Sequence, residues 1–525
     1  MSAAHQYEFV LLLLAAVAAL EALARRLRLP PAAAFILGGA VIAVLPGAPA
    51  FTLDPELVLL VFLPPLLMSG GYFTAWVEFR TNLGAIGMLA LGAVVFTTAV
   101  VGIVAHSLLP TLPWAVCFAL GAIVSPPDAV AAAAVLKRLS LPGRLTATLE
   151  GESLLNDASG LVLFRFAVAA AITGTFSIIQ ASTSFVVLSV GGVVLGYVVG
   201  RVGILLLKRA ESDTAILITL LLPAAAYVGG ERIGVSGVLA TVAAGIVVGR
   251  RQHGALSAAT RVRAQAFWSA LTFLLESLLF VLIGLALHDV LGRIGTGAPG
   301  RGLLIPVAGV VIAAVAARMV WLYATWAGRH VARHLGFASV ATPSLATATV
   351  LGWAGMRGVV TLAAALSLPE TLPGRDVVIV AAFATILVTV LVQGTTLGPL
   401  IRLVGITGDE DAARRREHEA RARVHVARAQ LGAIAEISRQ TDGTERHPRL
   451  LEQYGRRAAL TAAAWEDADE HHSHRAKHHT AVLHGIEAAR REALRLHSSG
   501  AIHDETLRAI EWELDLEQLA SESQL

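Results

Sequence analysis

Thirteen long apolar stretches joined by short polar links constrain this 525-residue chain more than anything else in it. They run over 8–24, 31–47, 55–71, 83–107, 113–136, 147–173, 183–207, 213–230, 234–249, 267–288, 302–328, 346–367 and 377–400. Most reach the roughly 20 residues a helix needs to cross a hydrocarbon core about 30 Å thick. Backbone N–H and C=O groups in lipid must find partners within the chain, so such a sequence folds as a bundle of spanning helices. The third stretch, broken by Pro64 and Pro65, is marginal. With 55% hydrophobic and only 15% charged residues, a soluble surface could not be covered. The expectation is an all-α polytopic membrane protein of about 13 transmembrane helices.

The apolar pattern stops near Ile401, which separates a membrane domain, 1–404, from a polar, helical, His-rich tail, 405–525. The net charge of +3 averages over these unlike parts and points to no nucleic-acid partner. Cys117 is the only cysteine, which excludes an intrachain disulfide or a cysteine-built metal site. Glu8 precedes the first apolar run and Arg25, Arg26 and Arg28 follow it, unlike a cleaved signal peptide. With the N-terminus outside, alternate inner loops hold fifteen Lys and Arg residues and the outer loops four, Arg232, Arg293, Arg301 and Arg375. The positive-inside rule then places the tail in the cytoplasm and the domain in the cytoplasmic (inner) membrane.

Two stretches are interrupted at their middles. Ser125, Pro126, Pro127 and Asp128 break the fifth, where each proline removes a helical N–H and frees the carbonyls of Ala122 and Ile123. Gly352, Gly355, Met356, Arg357 and Gly358 break the twelfth. The interruptions lie 229 residues apart, and the same offset pairs stretches four to six with eleven to thirteen in opposite orientation. Inverted repeats with two broken helices crossing at the midplane form a recurring transporter plan.

Charges deep in an apolar segment need partners or water, and they mark function. They are Glu152, Asp157, Asp128, Arg165, Arg201, Glu276, Arg318 and Arg357. In Gly151-Glu-Ser-Leu-Leu-Asn-Asp157, Ser153 and Asp157 share one helix face, while Glu152 and Asn156 share another. Asp157 with Ser153, Asp128 and the fifth-stretch backbone about Pro127 offers only hard oxygen ligands, which suits a monovalent cation. Burial favours the neutral form of a carboxyl group and a cation beside it favours the anion, so proton and cation would compete for Asp157. Asn156 leaves one titrating charge in that site. Glu152 lies about 140° around the helix from Asp157. Arg318, halfway through the eleventh stretch, is its expected partner in a structural ion pair. Arg357 is expected either at a helix break, beside Asp128, or snorkelling towards the cytoplasm. Arg165 and Glu276 line a cavity or form local ion pairs. In the tail, His471, His472, His474, His478 and His479 form a cluster without fixed ligand spacing, read as a solvated surface.

The runs GESLLND at 151–157, SPPDAV at 125–130, GVSGVLATVAAG at 234–245 and GMRGVVTLAAALSLP at 355–369 resemble the bacterial sodium/proton antiporters of the electroneutral branch of the monovalent cation:proton antiporter superfamily. The resemblance covers about 400 residues. It implies a 13-helix inverted-repeat fold, a homodimer in the bilayer, and exchange of one Na+, or Li+ or K+, for one H+ without a cofactor. It places the cation on Asp157, Ser153 and Asp128, assigns Asn156 and Asp157 to the electroneutral pattern, and makes Glu152 and Arg318 the structural pair. Pro127 replaces a threonine common in that family, and Met68 and Ser69 stand where many members have an acid.

Two other classes of function fit the sequence less well. A hydrolase using Ser153 lacks a base, since stretches five, six, eleven and twelve contain no histidine. A sensor with a membrane anchor would not need thirteen helices with midplane charges.

Overall fold

The computed structural model describes residues 3–45, 56, 58–128, 132, 141–175, 177–290, 292, 300–336, 344–406, 409–439, 445–466, 468–499 and 501–522. The loop charges Lys137, Arg138 and Arg293, and Ala129 and Val130 of the first interruption, lie outside them. Among the described residues the fold is helical, with one isolated bridge between Arg439 and Glu445 and no strand. The chain divides into two compact units, Met1–Asp409 and Glu410–Leu525.

The first unit contains α1 (Ala3–Leu27), α2 (Pro31–Val44), α3 (Val58–Phe73), α4 (Trp76–Thr81), α5 (Leu83–Leu108) and α6 (Trp114–Val124). It continues with α7 (Gly143–Thr173), α8 (Ile178–Leu207), α9 (Ser212–Ile233), α10 (Gly237–Ala255), α11 (Ala258–Leu285) and α12 (Gly300–His334). It ends with α13 (Leu345–Trp353), α14 (Val359–Leu366) and α15 (Arg375–Val404). Among the described residues, eight helices are long and apolar enough to span a bilayer, including α5, α7, α8 and α15. Pro64 and Pro65 do not break α3. A π-helical turn, Val58–Phe62, precedes them, and they sit in the first turn of the α-helical part, where a missing N–H costs little.

Packing sorts these helices into two bundles. In the first, α8, α9 and α3 pack around α10, and α2 packs against α11 and α1. In the second, α6 lies between α5 and α7, while α12 joins α5 to α13 and α15. Lipid gives apolar helices little reason to associate, so close approach must supply the dispersion energy. The α3–α10 crossing shows how: a Cβ on Gly71 would stand 2.7 Å from the Val242 carbonyl, and one on Gly245 would stand 2.7 Å from that of Met68.

The second unit consists of α16 (Asp409–Ser438), α17 (Pro448–Glu466), α18 (Ala468–Ser498) and α19 (Asp504–Glu522). α18 and α19 pack as a pair, joined at opposite ends by His479 Nδ1 at 2.7 Å from Ser521 Oγ and by His497 Nε2 at 2.8 Å from Asp504 Oδ1. The side chains of His471, His472, His474 and His478 lie outside the described residues.

Candidate functional site

α7 has 31 residues, and Asp157 is the fifteenth counted from Gly143, so its carboxylate stands at mid-helix. The two faces of this stretch differ in burial. Glu152 and Asn156 are 1% and 0% exposed, whereas Ser153 and Asp157 are partly open. One face is thus fixed inside the second bundle, and the other is reachable.

On the buried face, Glu152 is neutralised by an arginine. Arg318 on α12 donates Nη1 to Glu152 Oε1 at 2.5 Å and Nη2 to Oε2 at 2.8 Å, a bidentate pair. The same guanidinium donates Nε and Nη2 to the Leu351 carbonyl at 3.3 and 3.0 Å. That carbonyl belongs to the last turn of α13, so Arg318 ties α7 to the second interruption.

The interruptions clasp each other. α6 ends at Val124 and the chain stays non-helical through Asp128, while Ala354–Gly358 separates α13 from α14. The Asp128 N–H donates to the Met356 carbonyl at 2.6 Å. In return, Arg357 donates Nε to the Val124 carbonyl at 2.7 Å and Nη2 to the Ser125 and Ala314 carbonyls at 3.5 Å. Its Nη1 donates to Gly355, and its backbone N–H donates to Thr389 Oγ1 at 3.0 Å. Arg357 is 0% exposed, which removes the snorkelling alternative.

These bonds revise the expected supply of free carbonyls. The Ala122 oxygen, freed by Pro126, accepts Ser125 Oγ at 3.1 Å, and Ser125 in turn receives Thr98 Oγ1 at 3.3 Å. The Pro127 oxygen accepts Asn156 Nδ2 at 2.6 Å. Buried carbonyls without a helical partner must be satisfied, and neighbouring side chains do it here. Asn156 therefore holds the break rather than facing the open side with Asp157.

What remains at the open face is oxygen chemistry. Asp128 lies within electrostatic range of Asp157, and Ser153 stands one turn from Asp157 along α7. The Asp128 carboxylate rests on Gly358, where any Cβ would collide with it, at the N-terminus of α14. A helix N-terminus stabilises an anion. No group of three or more His, Cys, Asp or Glu side chains that could hold a resident metal occurs among the described residues.

Three residues make contacts that the sequence does not reveal. Ser125 precedes the proline pair, and Gly358 follows Arg357; each was visible as a motif position but not as a contact. Glu231 near the end of α9 is the third. Its Oε2 stands 2.9 Å from Arg165 Nη2, so Arg165 forms a local ion pair. Glu276 is partly buried on α11.

A two-bundle helical protein with clasped interruptions and a carboxylate at mid-helix is built as a membrane transport protein. The chain belongs to the sodium/hydrogen exchanger family: the profile described as "Sodium/hydrogen exchanger, transmembrane" matches residues 11–403. A "Sodium, potassium, lithium and rubidium/H(+) antiporter" of Bacillus pumilus is 34% identical over 409 residues, which span 75% of this chain and 60% of that protein. An uncharacterised Na(+)/H(+) exchanger of Mycobacterium tuberculosis is 33% identical over 536 residues, spanning 97% of this chain and 95% of that protein. The sodium proton antiporter MjNhaP1 of Methanocaldococcus jannaschii shares the fold, with a TM-score of 0.61 at 19% identity, over 77% of this chain and all of that one. Membership of an exchanger family sets aside the hydrolase reading of Ser153.

Proposed function

We propose that this protein exchanges Na+ for H+ across the cytoplasmic membrane, one for one, by competition of the two ions for Asp157. The observation that carries the proposal is the division of charge on α7. Glu152 is neutralised by a bidentate arginine, while Asp157 stands on the open face beside Asp128. Asp128 at the α14 N-terminus keeps its charge through the cycle, so Asp157 alone alternates between proton and cation. Ser153 supplies a hydroxyl oxygen to the cation. The site then carries the same charge loaded with either ion, and exchange is electroneutral.

The wider architecture follows the same reading. Thirteen spans with the N-terminus outside, two inverted repeats meeting at the clasped breaks, a cytoplasmic tail and a homodimer form the working transporter, supported by the family match and the two-bundle packing. The Glu152–Arg318 pair, Asn156 and Arg357 act as structure, holding the breaks in register. A K+ or Li+ substrate is the second reading, favoured by the broad cation range in the name of the Bacillus relative.

Cation-dependent dissipation of a pH gradient in proteoliposomes tests the proposal. Wild type should respond to Na+, and Asp157→Asn should lose the response while remaining folded. Exchange persisting in Asp157→Asn would sink it.

A further inference from the structure

Arg165 and Glu231 take no part in the exchange site, yet they sit on its axis. Along α7, Ser153, Asp157, Leu161 and Arg165 follow at four-residue spacing, each turned about 40° from the last, so the row leads from the site towards the C-terminal end of the helix while winding around it. Arg165 is eight residues beyond Asp157, about 12 Å along the axis. It belongs to the second bundle, whereas Glu231 belongs to α9 of the first. Leu161, between the site and Arg165, packs against hydrophobic clusters that involve both bundles. Tyr227, one turn before Glu231 on α9, is buried and within electrostatic range of both charges.

Around α7 the bundles meet through a shared apolar cluster: Leu154 and Ala158 are buried with Leu63 and Leu67 of α3, Tyr227 of α9 and Val242 of α10, and Gly70 of α3 faces Leu154. An arginine roughly two turns inside a spanning helix is costly without a counter-charge or water. Arg165 has the counter-charge in Glu231, and the two side chains are 53% and 33% exposed. The pair thus reaches from α7 of the second bundle to α9 of the first at the exposed edge of their contact.

We infer that the Arg165–Glu231 ion pair is a latch between the bundles, holding shut the path from Asp157 to the face of the membrane where α7 and α9 end. Leu161 and Tyr227 form the apolar seal beneath it. The inference rests on the exchange proposed above, with Asp157 open to one face of the membrane at a time, and adds the element that closes one side. Each transport cycle must break the pair, so its strength sets the population in which Asp157 is open to that face.

The test reads accessibility rather than transport, so that its failure is separable from failure of the Asp157 proposal. In a Cys117→Ser background, Leu161→Cys is labelled with a charged, membrane-impermeant thiol reagent in right-side-out and in everted vesicles. Exposed ion pairs contribute up to about 1 kcal/mol, so Glu231→Gln should raise labelling from one face up to about fivefold. Arg165→Glu, which adds repulsion, should raise it further. The swap Arg165→Glu with Glu231→Arg should return it towards the parent rate. Unchanged labelling in Glu231→Gln, which preserves side-chain shape, would overturn the latch, as would a swap that labels like the single Arg165→Glu variant. Either result leaves the Asp157→Asn transport test standing.

Discussion

Removing one partner of the Glu152–Arg318 pair leaves a charge almost wholly out of reach of water with no counter-ion. Stranding a buried charge in this way costs about 3–5 kcal/mol, whereas replacing both partners by apolar groups of similar volume is often near neutral. Arg318→Met is therefore expected to lose most folded protein, and Glu152→Leu with Arg318→Met to recover part of it, as read by thermal melting in detergent. A double variant less stable than Arg318→Met would contradict this. At the residue scale the sequence was informative where physics forces a partner. A mid-membrane arginine requires an anion, and Glu152 was the carboxylate turned away from Asp157. It was uninformative about bonds set by tertiary distance. Glu231 lies 66 residues from Arg165, and no spacing rule joins them. Asn156 was legible as a neutral neighbour, but its amide pointing to the Pro127 carbonyl depended on where the broken chain turns.

Among the elements, the short helix α14 is the most exposed to a single change. Gly358 precedes it, and the Asp128 carboxylate occupies the space a side chain would need. Gly358→Ala should displace that carboxylate from the helix end while leaving the apolar packing of α14 in place. The half-saturating Na+ concentration for exchange is expected to rise about tenfold or more, corresponding to roughly 1.4 kcal/mol of lost cation stabilisation. An unchanged half-saturation in a folded Gly358→Ala protein would remove Asp128 from the cation's surroundings. Long helices were legible from hydropathy because lipid demands a continuous apolar run. The π-helical turns at Val58–Phe62, Met88–Ala93 and Thr389–Gln393 were not, since one extra residue per turn leaves composition unaltered. Pro64 and Pro65 misled for the same reason: a proline reads as a break unless the turn before it is known.

For the whole molecule, competition at one carboxyl makes a signed statement about pH. Below the midpoint of Asp157 the proton holds the site, so the Na+ needed for half-maximal exchange should rise about tenfold for each further unit of acidification. Raising Na+ should accordingly carry the acid limb of the pH profile to lower pH, with no change in maximal rate. Rate measurements on proteoliposomes across an Na+ and pH grid check it; a fixed acid limb would mean that the two ions bind at separate groups.

The bonds running both ways between the interruptions, from Asp128 to Met356 and from Arg357 to Val124, have a further consequence. They join the two half-broken segments into one piece, so in the proposed exchange the cup around the cation travels without being rebuilt. A cup that keeps its shape has the same intrinsic preference for sodium at either face. Sodium should then half-saturate exchange at the same concentration from either face at equal pH, while the direction of net flow is set by the two gradients, as for any exchanger without an energy source of its own.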